Sequence, residues 1–125
     1  MAGLRGFVLW EKSIRLVAEG YRLSAAYPQG ERFGMTAQLR RAALSIASNV
    51  AEGNGRAYPK DYMRFLSIAR GSLKEVETIL EVSRLLGYSS PDSLETAMGL
   101  ADEVSRMLTS MRKRLNADLL QSHNR

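Results

Sequence analysis

A chain of 125 residues with 45 % apolar and 25 % charged residues has the length of one domain and ordinary globular composition, which excludes disorder. No apolar run approaches the ~18 residues of a membrane-spanning helix. Cysteine is absent, so disulfides and thiolate metal sites are excluded, and a formal net charge of +5 permits a polyanionic partner without demanding one.

The opening stretch MAGLRGFVLWEKS meets charge at Glu11 and Lys12 before an apolar signal core builds. No export signal is expected there, and the expected location is cytoplasmic. The first helix is predicted over residues 7–27. Trp10, Ile14, Val17 and Tyr21 recur at helical spacing and form its expected core stripe. Pro28 and Gly30 break the pattern.

The second helix is predicted over residues 37–52, with Thr36 as N-cap and Leu39, Ala43, Ile46 and Val50 as its stripe. Leu44 to Ala51 carries no charge, which predicts burial on more than one side and a subunit interface on the outer face. Gly53 and Gly55 are expected to stop this helix with left-handed backbone. The third helix is predicted over residues 59–86, opened by Pro59 and closed by Gly87. Its apolar face runs Tyr62, Phe65, Leu66, Ala69, Leu73, Val76 and Leu80. The fourth is predicted over residues 91–119, with Ser90 as N-cap, Pro91 at the first position and Asp92 complementing the dipole. Residues beyond about 120 are expected to fray.

Four helices joined by short connections predict an all-α, up-down-up-down four-helix bundle in a single domain, residues 1–125. That topology gathers Arg5, Lys12, Arg15, Arg56, Lys60, Arg64, Arg106, Arg112, Lys113 and Arg114 at one end. Only Glu11, Glu52, Asp61 and Asp118 oppose them, ten positive charges against four negative. The other end gathers five positive charges against six negative.

Several ordered motifs resemble the family of four-helix-bundle proteins encoded in intervening sequences of bacterial 23S rRNA genes. They are Leu9-Trp10-Glu11-Lys12, the run Phe33 to Ala43, Ser45-Ile46-Ala47-Ser48-Asn49-Val50-Ala51-Glu52-Gly53, Gly55-Arg56, the run Arg64 to Glu75, and Leu85-Leu86-Gly87-Tyr88. The resemblance spans residues 7–88. Ala47 stands where the family motif carries Pro, which would straighten the second helix. What the resemblance implies is a ring-like homo-oligomer, a pentamer. It also implies kinship with bundles that serve diversity-generating retroelements, which hold a reverse transcriptase and nucleic acid through basic surface. A ribosomal-protein label is attached to some members.

Arg56, Lys60, Arg64, Arg112, Lys113 and Arg114 are the candidate nucleic-acid contacts. Lys60 and Arg64 share a face at i, i+4 beside a helix N-terminus, which favours phosphate. The triplet Arg112–Arg114 either complements the helix dipole or meets phosphate. Gly53-Asn54-Gly55-Arg56 is a plain helix stop or an anion cradle. Ser45, Ser48, Asn49, Glu52, Asp61 and Glu75 are expected to form a buried polar network, with Arg56, Arg64 and Ser72 as partners, that sets helix register or else a partner site. Trp10, Tyr21, Phe33, Tyr62 and Phe65 are expected in the core.

No enzyme is expected. The single histidine, His123, lies near the C-terminus, so nucleophile–histidine pairs and most transition-metal sites lack their residues. The Glu-x-x-His signature of di-iron bundles is absent, and Glu77 with Glu81 reads as a solvated face. No catalytic residue, cofactor or metal is expected. The expected partner is a second copy of the chain, with RNA or an RNA-bound protein as the candidate further partner, and no membrane partner is expected. The alternative is a protein-interaction or structural oligomer that never touches nucleic acid. No base-reading module is recognisable, so nucleic-acid binding would follow backbone and shape.

Overall fold

The computed structural model describes residues 3–123, and every regular element among them is helical. Helix α1 spans Gly3–Ser24, α2 Met35–Asn54, α3 Pro59–Leu86 and α4 Pro91–His123, with a short 3-10 turn at Gln29–Glu31. Each helix packs on its two neighbours, α1 on α2 and α4, α3 on α2 and α4. The diagonal pairs make no close backbone approach, so the section is a square. Successive helices alternate in direction. Asn54 at the end of α2 donates to Gly6 O near the start of α1 at 2.9 Å, and Arg40 near the start of α2 donates to Ser24 Oγ at the end of α1 at 2.9 Å. The architecture is the four-helix bundle that the apolar periodicity predicts.

Helix α3 has the predicted bounds because both of its punctuation marks act. Tyr58 is extended before Pro59, and Gly87 adopts the left-handed region at φ 69°. Gly87 N–H then reaches Arg84 O at 3.2 Å and Tyr88 N–H reaches Ser83 O at 3.0 Å, satisfying orphan carbonyls of the last turn. Helix α4 begins as predicted, with Ser90 Oγ accepting from Ser93 N–H at 3.2 Å. It continues to His123 instead of ending near 119, since no Gly or Pro follows Gly99 to stop it.

Three local expectations change. Thr36 is not the cap of α2. The helix starts at Met35, whose N–H is met by the Glu31 carboxylate at 3.3 Å, and Gly34 occupies the cap. Gly53 and Gly55 do not use left-handed backbone. Gly55 sits at φ −86°, and Gly53 lies inside α2, buried where α2 meets the Tyr62 ring. A Cβ at Gly53 would come within 2.8 Å of Tyr62 Cδ1, so close approach is what requires glycine there.

The third change is the face of α1. Gly6, Leu9, Ser13, Leu16, Gly20 and Leu23 face the core, while Trp10, Ile14 and Tyr21 are exposed and only Val17 of the expected stripe packs partly on the core. Small residues alternate with leucines on the buried face and let α1 lie close to α2. A Cβ on Gly20 would stand 3.8 Å from Ala43 Cβ. Weighting the largest side chains therefore selects the wrong stripe. Of the five aromatics expected in the core, only Tyr62 is fully buried; Phe65 is half-buried and Phe33 is 87 % exposed. The core runs through Leu9, Leu16, Leu39, Ile46, Tyr62, Leu66, Leu73, Val76, Leu80, Val104 and Leu108.

Candidate nucleic-acid interface

The end of the bundle formed by the start of α1, the α2–α3 turn and the last turns of α4 carries the cationic residues. Its backbone is tied by one side chain. Asn54 donates to Gly6 O and accepts from the Tyr62 hydroxyl, so three helices meet on one amide. Burial holds the Tyr62 hydroxyl above its ordinary pKa, keeping it a neutral donor.

The cations fall into four groups. Arg56 and Arg64 both stack on Phe65, with guanidinium carbons 4.6 and 4.5 Å from the ring centroid. Arg56 also pairs with Glu52 at 3.2 Å, leaving Arg64 as the one of the two without a carboxylate. Arg112 and Lys113 turn toward α3 and line a cleft of about 430 Å³ with Met63, Thr109 and Asn116. Arg112 Nε is buried there with no hydrogen-bond partner. Arg114 turns toward α1 and lines a second cleft with Arg5 and Asp118. At about 100° per residue the triplet cannot point one way, and the helix divides it. Lys60 stands exposed in the first turn of α3, where no side chain caps the helix.

Several members of the expected cluster are neutralised within the chain. Lys12 pairs with Glu103 at 2.9 Å, Arg15 with Glu11 at 3.5 Å and Arg106 with Asp102 at 3.1 Å. Asp102 and Glu103 lie level with these cations along the bundle, which a count by helix ends overlooks. The Lys12 ammonium holds the Glu103 carboxyl below its ordinary range. Among the described residues, Arg5, Lys60, Arg64, Arg112, Lys113 and Arg114 remain without a carboxylate within ion-pair distance.

The Gly53–Arg56 turn is not an anion cradle. Gly55 N–H is taken by Ala51 O and Glu52 O, and Arg56 N–H by Gly53 O at 3.0 Å. The expected polar network is smaller and less buried than its residue types suggest. Ser45 Oγ meets Ser72 Oγ at 2.8 Å, and Asn49 donates to Ser45 O at 2.8 Å, all three half-buried between α2 and α3. Ser48, Glu52 and Glu75 are exposed, and Asp61 is half-buried and makes no side-chain hydrogen bond or ion pair among the described residues. The buried polar groups are instead Ser13, Ser24 and Ser83. Ser13 and Ser83 return their hydroxyls to the carbonyls four residues back, at 2.8 Å each. A serine at the spacing of buried leucines, as at Ser13, was the available signal. Phe65 as a stacking platform and Asn54 as a tie had no signal beyond their place beside the turn.

No group of histidine, aspartate and glutamate side chains among the described residues is placed to hold a metal ion. No helix of the described chain is long and apolar enough to cross a membrane.

No curated protein matches the chain. A solved structure shares its fold, with a TM-score of 0.80 over 88 % of this chain and 99 % of the other, at 23 % identity. It is a crystal structure of a protein of unknown function from the S23 ribosomal protein family of Bacteroides thetaiotaomicron VPI-5482. At that identity the likeness speaks to the fold alone. The model of one sequence family matches residues 5–110, most of the chain, and by that match the protein belongs to the 23S rRNA-intervening sequence proteins.

Proposed function

We propose that this chain is a non-enzymatic, self-associating bundle that holds RNA by its phosphates at the basic end, acting in the bacterial cytoplasm alone or with a protein partner. The observation that carries the reading is the set of cations left without carboxylates at that end: Lys60, Arg64, Arg112, Lys113 and Arg114, with Arg5 beside them. At the other end Arg22 and Arg84 are taken up by Glu19 and Glu81, Arg40 is spent on Ser24 Oγ and the Tyr21 ring, and five positive charges stand against six negative. Phosphate contact by exposed cations needs no base-reading side chains and binds by counterion release. Stacking on Phe65 keeps the Arg64 guanidinium extended over a ring, which favours planar hydrogen bonding to phosphate oxygens.

The self-association half rests on apolar surface. Phe7, Trp10, Ile14 and Tyr21 form an exposed stripe on α1 whose Tyr21 end lies under Arg40 of α2, and Leu44 of α2 is 50 % exposed. In the uncharged middle of α2, Ile46, Ala47 and Val50 are consumed inside the bundle, so α1 contributes more to this face than α2. The same stripe favours the second reading, a structural or protein-binding oligomer without nucleic acid.

Titrating a structured rRNA fragment against the protein at several salt concentrations separates the readings. Binding should weaken linearly in log–log form as salt rises. Lys60→Gln, Arg64→Gln and Arg112→Gln together should flatten the slope by roughly 2–3, at ~0.7–0.9 per phosphate contact. Oligomers that ignore RNA at every salt would leave the second reading.

A further inference from the structure

Arg5, Lys60, Arg64, Lys113 and Arg114 are exposed, whereas Arg112 is half-buried. Its Nε–H is out of water and meets no acceptor among the described residues. A buried donor on a charged group is costly to leave unmet, and an anion is the acceptor that meets its charge as well. Arg112 belongs to a stripe. Thr109, Arg112, Lys113 and Asn116 recur at i, i+3, i+4 and i+7, one face of α4, and all four line the cleft of about 430 Å³ beside Met63 of α3.

Every polar side chain along this cleft can donate: the guanidinium, the ammonium, the amide and the hydroxyl. No carboxylate lines it, and Asp61, two residues from Met63 on α3, is not part of its wall. Two positive charges therefore face one small space. Met63 adds an apolar wall, half-buried where it packs on the core. The volume is that of a small-ligand cleft, with room for a nucleoside beside an anion. Lys60 lies three residues before Met63, on the same side of α3 and one turn nearer the end of the bundle. Helix α4 runs about three turns past Arg112, while α3 begins about one turn before Met63. The cleft thus opens beside a projecting helix, at the end where the other free cations lie.

We infer that the α3–α4 cleft takes the phosphomonoester at the end of an RNA strand, with Arg112 and Lys113 on its oxygens and the terminal nucleoside against Met63. This contact rests on the RNA binding proposed above and names the chemical group that one part of the basic end takes. Charge selects the group. A phosphodiester inside a strand carries one negative charge, and chain leaves it on both sides. A terminal phosphomonoester carries about −1.5 to −2 and offers three strong acceptor oxygens. The second group matches two cations in one cleft, and its chain leaves by a single route, past Lys60. The planar guanidinium fork of Arg112 suits two of those oxygens at once, and Nε–H is one of its donors. The remaining exposed cations then hold the following diesters, so one end of the strand is fixed and the rest is held by charge alone.

The test is the affinity of one short RNA in three forms, with a 5′-phosphate, with a 3′-phosphate and with hydroxyls at both ends, read by fluorescence anisotropy from an internal label. At least one phosphorylated form should bind about tenfold tighter than the hydroxyl form or better, as expected for one added charge-assisted contact, and the form that does so names the end that enters. Arg112→Lys keeps the charge and removes both Nε–H and the planar fork, so the preference should fall. Thr109 is exposed, so Thr109→Glu leaves the fold intact and sets a carboxylate three and four residues before Arg112 and Lys113, where the preference should vanish. Arg114→Gln, in the cleft on the other side of α4, should weaken all three forms alike and keep their ratio. Equal binding of the three forms, still falling with salt, would overturn the terminal-phosphate contact and leave RNA binding standing. A preference that survives both Arg112→Lys and Thr109→Glu, with circular dichroism unchanged, would also overturn it, since the phosphate would then lie outside this cleft. No binding of any form at low salt would overturn the RNA reading and this contact with it.

Discussion

The two ends of the bundle are built from similar residues and use them differently. At the end near the α1–α2 and α3–α4 connections, polar side chains bond to each other across helices: Tyr27 to Ser83, Tyr88 to Glu31, Arg40 to Ser24. Of its five cations Arg22 and Arg84 meet Glu19 and Glu81, and Arg40 is spent on Ser24 Oγ and the Tyr21 ring. At the basic end one amide, Asn54, ties three helices, and most cations have no carboxylate. One end is closed by its own polar chemistry. The other keeps structural polarity to a single half-buried tie and leaves six of its cations without a carboxylate partner among the described residues. Stability and binding are thus separable at the basic end, which makes the comparison open to experiment.

The largest effect should come from Tyr62. It is fully buried and its ring fills the space that Gly53 leaves. Tyr62→Ala should lower unfolding free energy by about 3–5 kcal/mol through the cavity and the lost bond to Asn54, read as a fall in the urea midpoint. Lys60→Gln in the same assay should move the midpoint by less than about 0.5 kcal/mol, as an exposed site does. If the two were comparable, binding and stability would not be separate at this end. Gly53→Ala comes next. Its Cβ would meet Tyr62 Cδ1 at 2.8 Å and Phe65 Cβ at 3.3 Å, a rigid ring and a helix-bound carbon. Overpacking of this kind costs ~1–3 kcal/mol, against a helix-propensity gain of ~1 kcal/mol for replacing glycine. A net loss is expected. A stabilised variant would show that α2 and α3 have room to part.

How much of this was legible beforehand divides along a physical line. Helix α3 was readable to the residue because its ends are set by local chemistry, Pro59 and Gly87. The fold class followed from the apolar period of four segments. The buried face of α1 was not readable, because Gly20 is buried against Ala43 and Leu39 of α2 and Gly6 beside Asn54, and closeness is a property of the neighbour. Trp10 and Tyr21 are larger and misdirect any rule that weighs size. The cap of α2 was missed for a related reason: Glu31 lies four residues before Met35 and acts through a turn, while Thr36 had the better local pattern. Of the candidate site, the residue types and the end were legible. The pairing was not, since Glu103 reaches Lys12 from a helix distant in sequence. Nor was the division of Arg112–Arg114 between two clefts, which depends on how α4 is rotated.

Gly34 sharpens the contrast with Gly53. A Cβ there would come as close, 2.9 Å, but to Glu31 Oε1, the tip of a flexible side chain. The carboxylate can swing away, so the steric term is small. What is lost is the cap on α2 and the bond from Tyr88. Gly34→Ala should therefore cost about 1 kcal/mol, within the range for a lost cap, and less than Gly53→Ala. Adding Glu31→Ala to Gly34→Ala should cost little more, because both remove one arrangement. Full additivity would mean that Gly34 acts independently of Glu31.

The smallest effect is a pH dependence that tells the ends apart. Three tyrosines titrate above their ordinary value of 10.0: Tyr27 and Tyr62 through burial, Tyr88 first through its hydrogen bond to the Glu31 carboxylate. For each, the folded state keeps its proton more tightly than the unfolded state. The associated stability is present in full below about pH 10 and is lost as pH rises from there through the folded values. Urea midpoints should hold steady from pH 8 to about 9.5 and then fall. Two of the three groups lie at the end closed by cross-helix bonds, so Tyr27→Phe with Tyr88→Phe should flatten the alkaline fall more than Tyr62→Phe does. Equal flattening would place the alkaline weakness in the shared core and remove this distinction between the ends. A steeper dependence on Tyr62 would reverse it, making the Asn54 tie the more proton-sensitive closure of the bundle.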